Sequence, residues 1–153
     1  MEYYIDNRVP DFHIDKELEQ LIKNVILECI NIEGIDSDVE VSLSFVDNKE
    51  IKELNKTYRN IDESTDVLSF PMEQDILVPM PLLGDIIISV EKAKEQSLEF
   101  GHSLTREISY LVAHSMYHLM GYDHMEQDEK SEMRIKEKLV MKNLGIFRAR
   151  EEE

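Results

Sequence analysis

The sequence predicts a sheet of about four strands with helices packed on it, in the α+β or α/β class. Three observations carry this. The chain has 153 residues, the size of one ordinary domain. A domain of that size buries roughly 68–70% of its unfolded surface and needs no disulfide or structural metal to fold. The apolar residues switch along the chain between a period near 3.6 and a period of 2. Gly101, Gly121 and Gly145 stand just past the ends of helical stretches, where a left-handed residue stops a helix.

The elements follow in order. Residues 1–9 read as a short strand. Residues 16–32 read as a helix, because Leu18, Leu21, Ile22, Val25, Ile26, Cys29 and Ile30 make one unbroken apolar stripe. Val39, Val41, Leu43 and Phe45 alternate with polar residues, the pattern of a half-buried strand. Asp47 and Glu50 read as a capping box opening a second helix, with Ile51, Leu54 and Tyr58 turned inward. Residues 67–70 form a short β-type run stopped by Pro71. Residues 72–83 have little periodicity and read as a loop. Gly84 leads into a strongly β-forming run at 85–90. Helices are expected at 91–100, 104–120 and 128–144. One domain is expected over 1–153, with the glutamates 151–153 as a disordered tail.

Composition excludes several classes. No apolar run approaches the ~20 residues needed to cross a membrane. The first residues lack the basic head and apolar core of a secretory signal. The single cysteine, Cys29, suits a reducing compartment, so a cytoplasmic location is expected. It lies on the apolar stripe of the first helix and is expected to be buried and inert. Met116, Met120, Met125, Met133 and Met141 read as filler.

The net charge is −16, which as a whole repels nucleic acid. Residues 1–40 carry 11 acids and 3 bases, so a polyanion site must lie elsewhere. Lys49, Lys52, Lys56 and Arg59 recur at i, i+3, i+7 and i+10, which puts four positive charges on one face of the second helix. They read either as a solvated face paired with acids such as Glu50 and Glu53, or as a phosphate track. In the second case Arg59 would hold a phosphate bidentately, and Asn55 and Tyr58 would add hydrogen bonds or base stacking.

The chemistry concentrates at residues 114–124. His114 and His118 stand one helical turn apart on one face and can grip one metal ion. In a continuous helix His124 would point roughly 240° away from His118. Gly121 breaks the helix and lets the chain turn back. Three nitrogen ligands leave a fourth position open, the pattern of catalytic rather than structural zinc. Zinc is favoured over iron, because three neutral imidazoles suit it, with Asp123 keeping iron open. The spacing H-x-x-x-H-x-x-G-x-x-H is also that of metzincin proteases, which need Glu after the first histidine as general base. Ser115 stands there and cannot take that proton, so peptide hydrolysis is disfavoured. His13 and His102 lie outside the triplet, and His102 reads as a local cap. Asp66 and Asp85 read as strand-end turn residues or as carboxylates behind a ligating histidine.

The stretch His114-Ser-Met-Tyr-His118-Leu-Met-Gly-Tyr-Asp-His124 resembles the H-G-x-L-H-L-x-G-Y-D-H signature of the YbeY family, bacterial metal-dependent endoribonucleases of ribosomal RNA maturation. The blocks Ser64-Thr65-Asp66-Val67-Leu68-Ser69-Phe70-Pro71 and Leu83-Gly84-Asp85-Ile86-Ile87-Ile88-Ser89 agree in kind and order. The resemblance runs from about residue 41 to 144. Ser115 and Tyr117 depart from it, at positions that are not ligands. It implies an α+β zincin-like fold and one zinc ion on His114, His118 and His124. It also implies cleavage of single-stranded RNA in small-subunit (16S) rRNA maturation and quality control, with the ribosomal small subunit as partner. It points to Arg59 as a functional arginine in the cleft. Neither a membrane nor a DNA partner is expected. Two other classes stay open: a ribosome-associated assembly factor with a mainly structural metal site, and a zinc hydrolase of a small ester or amide.

Overall fold

The computed structural model describes residues 1–35, 38–72, 82–122 and 127–146. Four strands, β1 (Glu2–Asn7), β2 (Glu40–Val46), β3 (Val67–Pro71) and β4 (Leu82–Ser89), form one sheet in the order β1-β2-β4-β3. β1 with β2 and β2 with β4 run parallel, while β3 runs antiparallel to β4 and forms one edge. The helices are α1 (Lys16–Glu33), α2 (Asn48–Arg59), α3 (Val90–Phe100), α4 (Leu104–Leu119) and α5 (Gln127–Asn143). The mixed four-stranded α+β sheet expected from the sequence is therefore the fold found. The expected loop at 72–83 lies outside the described residues over 73–81, and β4 starts at Leu82, earlier than the β run suggests. The expected tail at 151–153 lies outside the described residues. Among the described residues no helix is long and apolar enough to cross a membrane.

Strand alternation divides the core. Val41, Leu43 and Phe45 of β2 and Ile86 and Ile88 of β4 are fully buried in one cluster with α1 and α4. The stripe of α1 lies there, with Ile22, Val25, Ile26 and Cys29 fully buried. A fully buried side chain of this kind is worth about 1.5–3 kcal/mol, so this stripe seats α1 against α4. The opposite side of the sheet holds a smaller cluster, in which Ile51 of α2 meets Val46, Leu68 and Ile87. The Asp47 carboxylate caps α2 by accepting from the Glu50 N–H at 2.8 Å, whereas the Glu50 carboxylate pairs with Arg8 instead of closing the box.

Tyr58 is a correction. It is 68% exposed, resting edge-on against Phe70 at 5.6 Å, and the residue buried beside Ile51 is Asn55. Asn55 Nδ2 donates to the Glu63 carbonyl at 2.9 Å, which satisfies the buried amide and ties down the segment after α2.

Gly84 fixes how close α4 comes to the sheet. A Cβ there would stand 2.5 Å from Leu119 Cδ2 and 2.6 Å from the Phe70 carbonyl oxygen, closer than real Cβ atoms come. The missing side chain lets the end of α4 rest on β3 and β4.

Candidate active site

α4 is built to deliver its last turns to the edge strand. Ser103 caps its start, accepting from the Arg106 N–H at 3.1 Å. Leu111, Val112, Ala113, Met116 and Tyr117 are buried, which fixes the helix rotation and leaves His114 and His118 half-buried on the remaining face. Ser115 is fully buried, its hydroxyl against that of Ser69 on β3, so it faces the sheet and cannot serve as a base for the histidines.

The helix ends as the sequence predicts. Gly121 has φ 104°, outside the helical region, and the Tyr122 N–H returns to the Tyr117 carbonyl at 3.0 Å. That turn brings the Tyr122 carbonyl within 2.9 Å of His118 Nδ1. His114 Nδ1 meets Glu137 Oε2 of α5 at 2.8 Å. Carbonyl and carboxylate oxygens only accept, so both rings carry their proton on Nδ1. The two Nε2 atoms then face one another across 3.2 Å, each with its lone pair on the side of the other ring when its own ring is neutral. Two nitrogen ligands of tetrahedral zinc, at ~2.0–2.1 Å from the ion, stand about 3.3–3.4 Å apart. The pair thus fits a metal in spacing and in tautomer. His124, the third expected ligand, lies outside the described residues.

A cleft of about 580 Å³ opens over the pair. His114, His118 and Tyr122 line one side; Asn55, Arg59 and Ile61 line the α2 side; residues of the edge strand, including Val67, Ser69 and Pro71, line the floor. Arg59 is the one member of the basic stripe among these lining residues. Its Nη2 donates to the Ser69 carbonyl at 2.8 Å, and its guanidinium lies 5.6 Å from the Phe70 ring centre. One edge of the fork is thereby fixed to the sheet while the side chain stays exposed. Lys52 and Lys56 each reach Asp62 at 4.0 Å, and Lys49 lines a separate hollow beside Glu50 and Glu53.

Asp66 lines the cleft, but its carboxylate accepts from its own neighbour, the Val67 N–H, at 2.7 Å and from Gln96 Nε2 at 3.2 Å. Asp85 alternates with Gly84 and Ile86 on β4 and so points to the face opposite α4. The carboxylate against His114 is that of Glu137, 23 residues further along the chain and 3% exposed. Sequence spacing missed it; a buried acid on the apolar face of α5, beside Met133 and Val140, is the signal that finds it. His102 is likewise more than a cap. Its Nε2 lies 3.1 Å from Glu107, which shares Gln96 with Asp66. Cys29 is buried as expected, and burial pushes its thiol up, away from the reactive thiolate.

An α+β sheet with a helix-borne, proton-oriented histidine pair and an anchored arginine across one open cleft has the build of a histidine-centred active site. The family model for Endoribonuclease YbeY matches residues 4–145, and the chain belongs to that family. It is 48% identical over 152 residues to Endoribonuclease YbeY of Clostridioides difficile, an alignment covering 97% of this chain and 99% of the relative. It is 50% identical over 148 residues to Endoribonuclease YbeY of Alkaliphilus metalliredigens, covering 94% and 96%. The solution structure of TM1509 from Thermotoga maritima has the same fold, with a TM-score of 0.64 and 31% identity over 94% of this chain and 89% of that one.

Proposed function

We propose that this protein is a metal-dependent endoribonuclease of single-stranded RNA, acting in the cytoplasm on small-subunit (16S) rRNA in association with the ribosomal small subunit. Family membership and relatives bearing the name endoribonuclease support the activity. The observation that carries the metal is the pair of Nε2 atoms held 3.2 Å apart by acceptors behind both rings. His114, His118 and His124 would hold one zinc ion. When bound, zinc supplies a Lewis acid for a phosphoryl oxygen and lowers the pKa of water toward ~7.

The chain's own residues do the rest. Glu137 and the Tyr122 carbonyl keep Nδ1 of each histidine protonated, so no ring rotation is needed as substrate arrives. Arg59, fixed along one edge by Ser69, presents its remaining N–H groups to a phosphate in the cleft and offsets charge that develops on phosphorus. The buried Ser115 leaves no protein base beside His114 on that helix, which separates this site from peptide-cleaving zincins.

The direct test is cleavage of a defined single-stranded RNA and of its duplex by zinc-loaded protein, with His114→Ala purified identically. Cleavage of the single strand by the parent protein alone is expected. Equal cleavage by the His114→Ala protein would reject the reading.

A further inference from the structure

We propose that α5 is the positioning element of the histidine pair, with Glu137 fixing His114 directly and Lys136 fixing His118 through the Tyr122 turn. This rests on the pair being a metal site. Glu137 is nine-tenths and more buried, on a helix face shared with Met133, Val140 and Met141. Burying a carboxylate costs several kcal/mol unless it is hydrogen-bonded, and an apolar side chain would pack there without that cost. Both its oxygens are engaged from α4: Oε2 by His114 Nδ1 at 2.8 Å, Oε1 by the Tyr110 hydroxyl at 3.4 Å. Tyr110 in turn stacks on His114, with ring centres 6.0 Å apart. The carboxylate thus sets the proton position and, with Tyr110, the plane of the ring.

The neighbouring residue serves the other histidine. Lys136 Nζ donates to Glu33 at 2.9 Å and to the Tyr122 hydroxyl, and it lies 4.8 Å from the Tyr122 ring centre. The Tyr122 hydroxyl also donates to Glu33 at 2.6 Å. One tyrosine is therefore clamped between α1 and α5, and its carbonyl is the group behind His118. Consecutive residues of one helix, distant in sequence from the histidine motif, hold both rings. Outer carboxylates and carbonyls of this kind change metal affinity by ~10–100-fold when removed.

The test uses the full-length Glu137→Gln, Glu137→Leu and Lys136→Met proteins. Three quantities are read: the His114 tautomer in metal-free protein by long-range ¹H–¹⁵N correlation, zinc affinity by chelator competition, and melting temperature. In the parent protein the His114 proton should sit on Nδ1. Glu137→Leu should release it and weaken zinc binding by ~10–100-fold. Glu137→Gln, whose amide oxygen still accepts, should keep the tautomer, melt like the parent and bind zinc about tenfold more weakly. Lys136→Met should leave the His114 tautomer unchanged and weaken zinc binding several-fold. Parent-like zinc affinity in Glu137→Gln, or an unchanged tautomer in Glu137→Leu, would overturn the role of Glu137. Parent-like affinity in Lys136→Met would overturn that of Lys136. If the parent itself takes up no zinc, the metal reading fails, while the tautomer measurement still decides whether Glu137 orients His114.

Discussion

Two helices carry charge-bearing residues at helical spacing, and the structure treats them differently. On α4 both histidines have a named acceptor behind the ring, from different parts of the chain, and their Nε2 atoms converge. On α2 the lysines share Asp62 at 4.0 Å or stand over a separate hollow, and Arg59 alone enters the cleft, anchored by Ser69 and Phe70. Exposed ion pairs at such distances contribute 1 kcal/mol at most, about. Spacing along a helix selects residues for one face. Partners from other elements decide whether that face becomes a site.

The contrast can be broken from the α4 side with the largest effect. His118→Ala should lower RNA cleavage by at least about a hundredfold, since a metal centre supplies several kcal/mol of transition-state stabilisation. Cleavage rates and metal content of the purified variant, compared with the parent, check this. Arg59→Glu should come next. Cleavage should fall by about 10²–10³, the usual cost of losing a donor aimed at developing charge. Its stability should fall by under about 1.5 kcal/mol, the worth of one hydrogen bond with a cation–π contact. Parallel losses of melting temperature and activity would make Arg59 structural.

Gly84→Ala probes the seat of α4 rather than its chemistry. The new Cβ would meet a backbone oxygen at 2.6 Å, so the strand or helix must shift. A loss of about 1–3 kcal/mol is expected in denaturant titrations. The smallest effects should come from Lys49→Gln, Lys52→Gln and Lys56→Gln, each weakening RNA binding a few-fold at most. If all four basic residues met phosphates, the slope of log K against log salt would be about −3, from ~0.7 per contact to a single strand. With Arg59 as the contact in the cleft, the slope should be shallower. A slope near −3 that each lysine substitution flattens by about 0.7 would instead favour the track along α2.

The histidine pair and the Gly121 break were legible because both depend on local geometry: one helical turn, then a residue that tolerates φ of 104°. The strands and helices were legible for the same reason. What stayed hidden depends on packing between distant segments. Tyr58 shares a helix face with Ile51, but α2 is short, and Asn55 takes the inner position near its end through the Glu63 carbonyl. Asp66 and Asp85 lie inside the motif blocks, where the sequence reads them as strand-end turn residues or as carboxylates behind a histidine. Strand alternation turns Asp85 away, and Gln96 engages Asp66. Glu137 could be found from sequence only as an acid on an apolar helix face, with nothing local to say which histidine it meets.

In the proposed function the oriented pair on α4, with His124, holds one transition metal on which cleavage depends. Elemental analysis of the protein purified without chelators, beside His114→Ala, His118→Ala and His124→Ala, tests it most directly. About one zinc per chain is expected in the parent, with a large loss of metal in each of the three variants. A full complement of metal retained by His118→Ala, or a parent protein that takes up no transition metal at all, would contradict it.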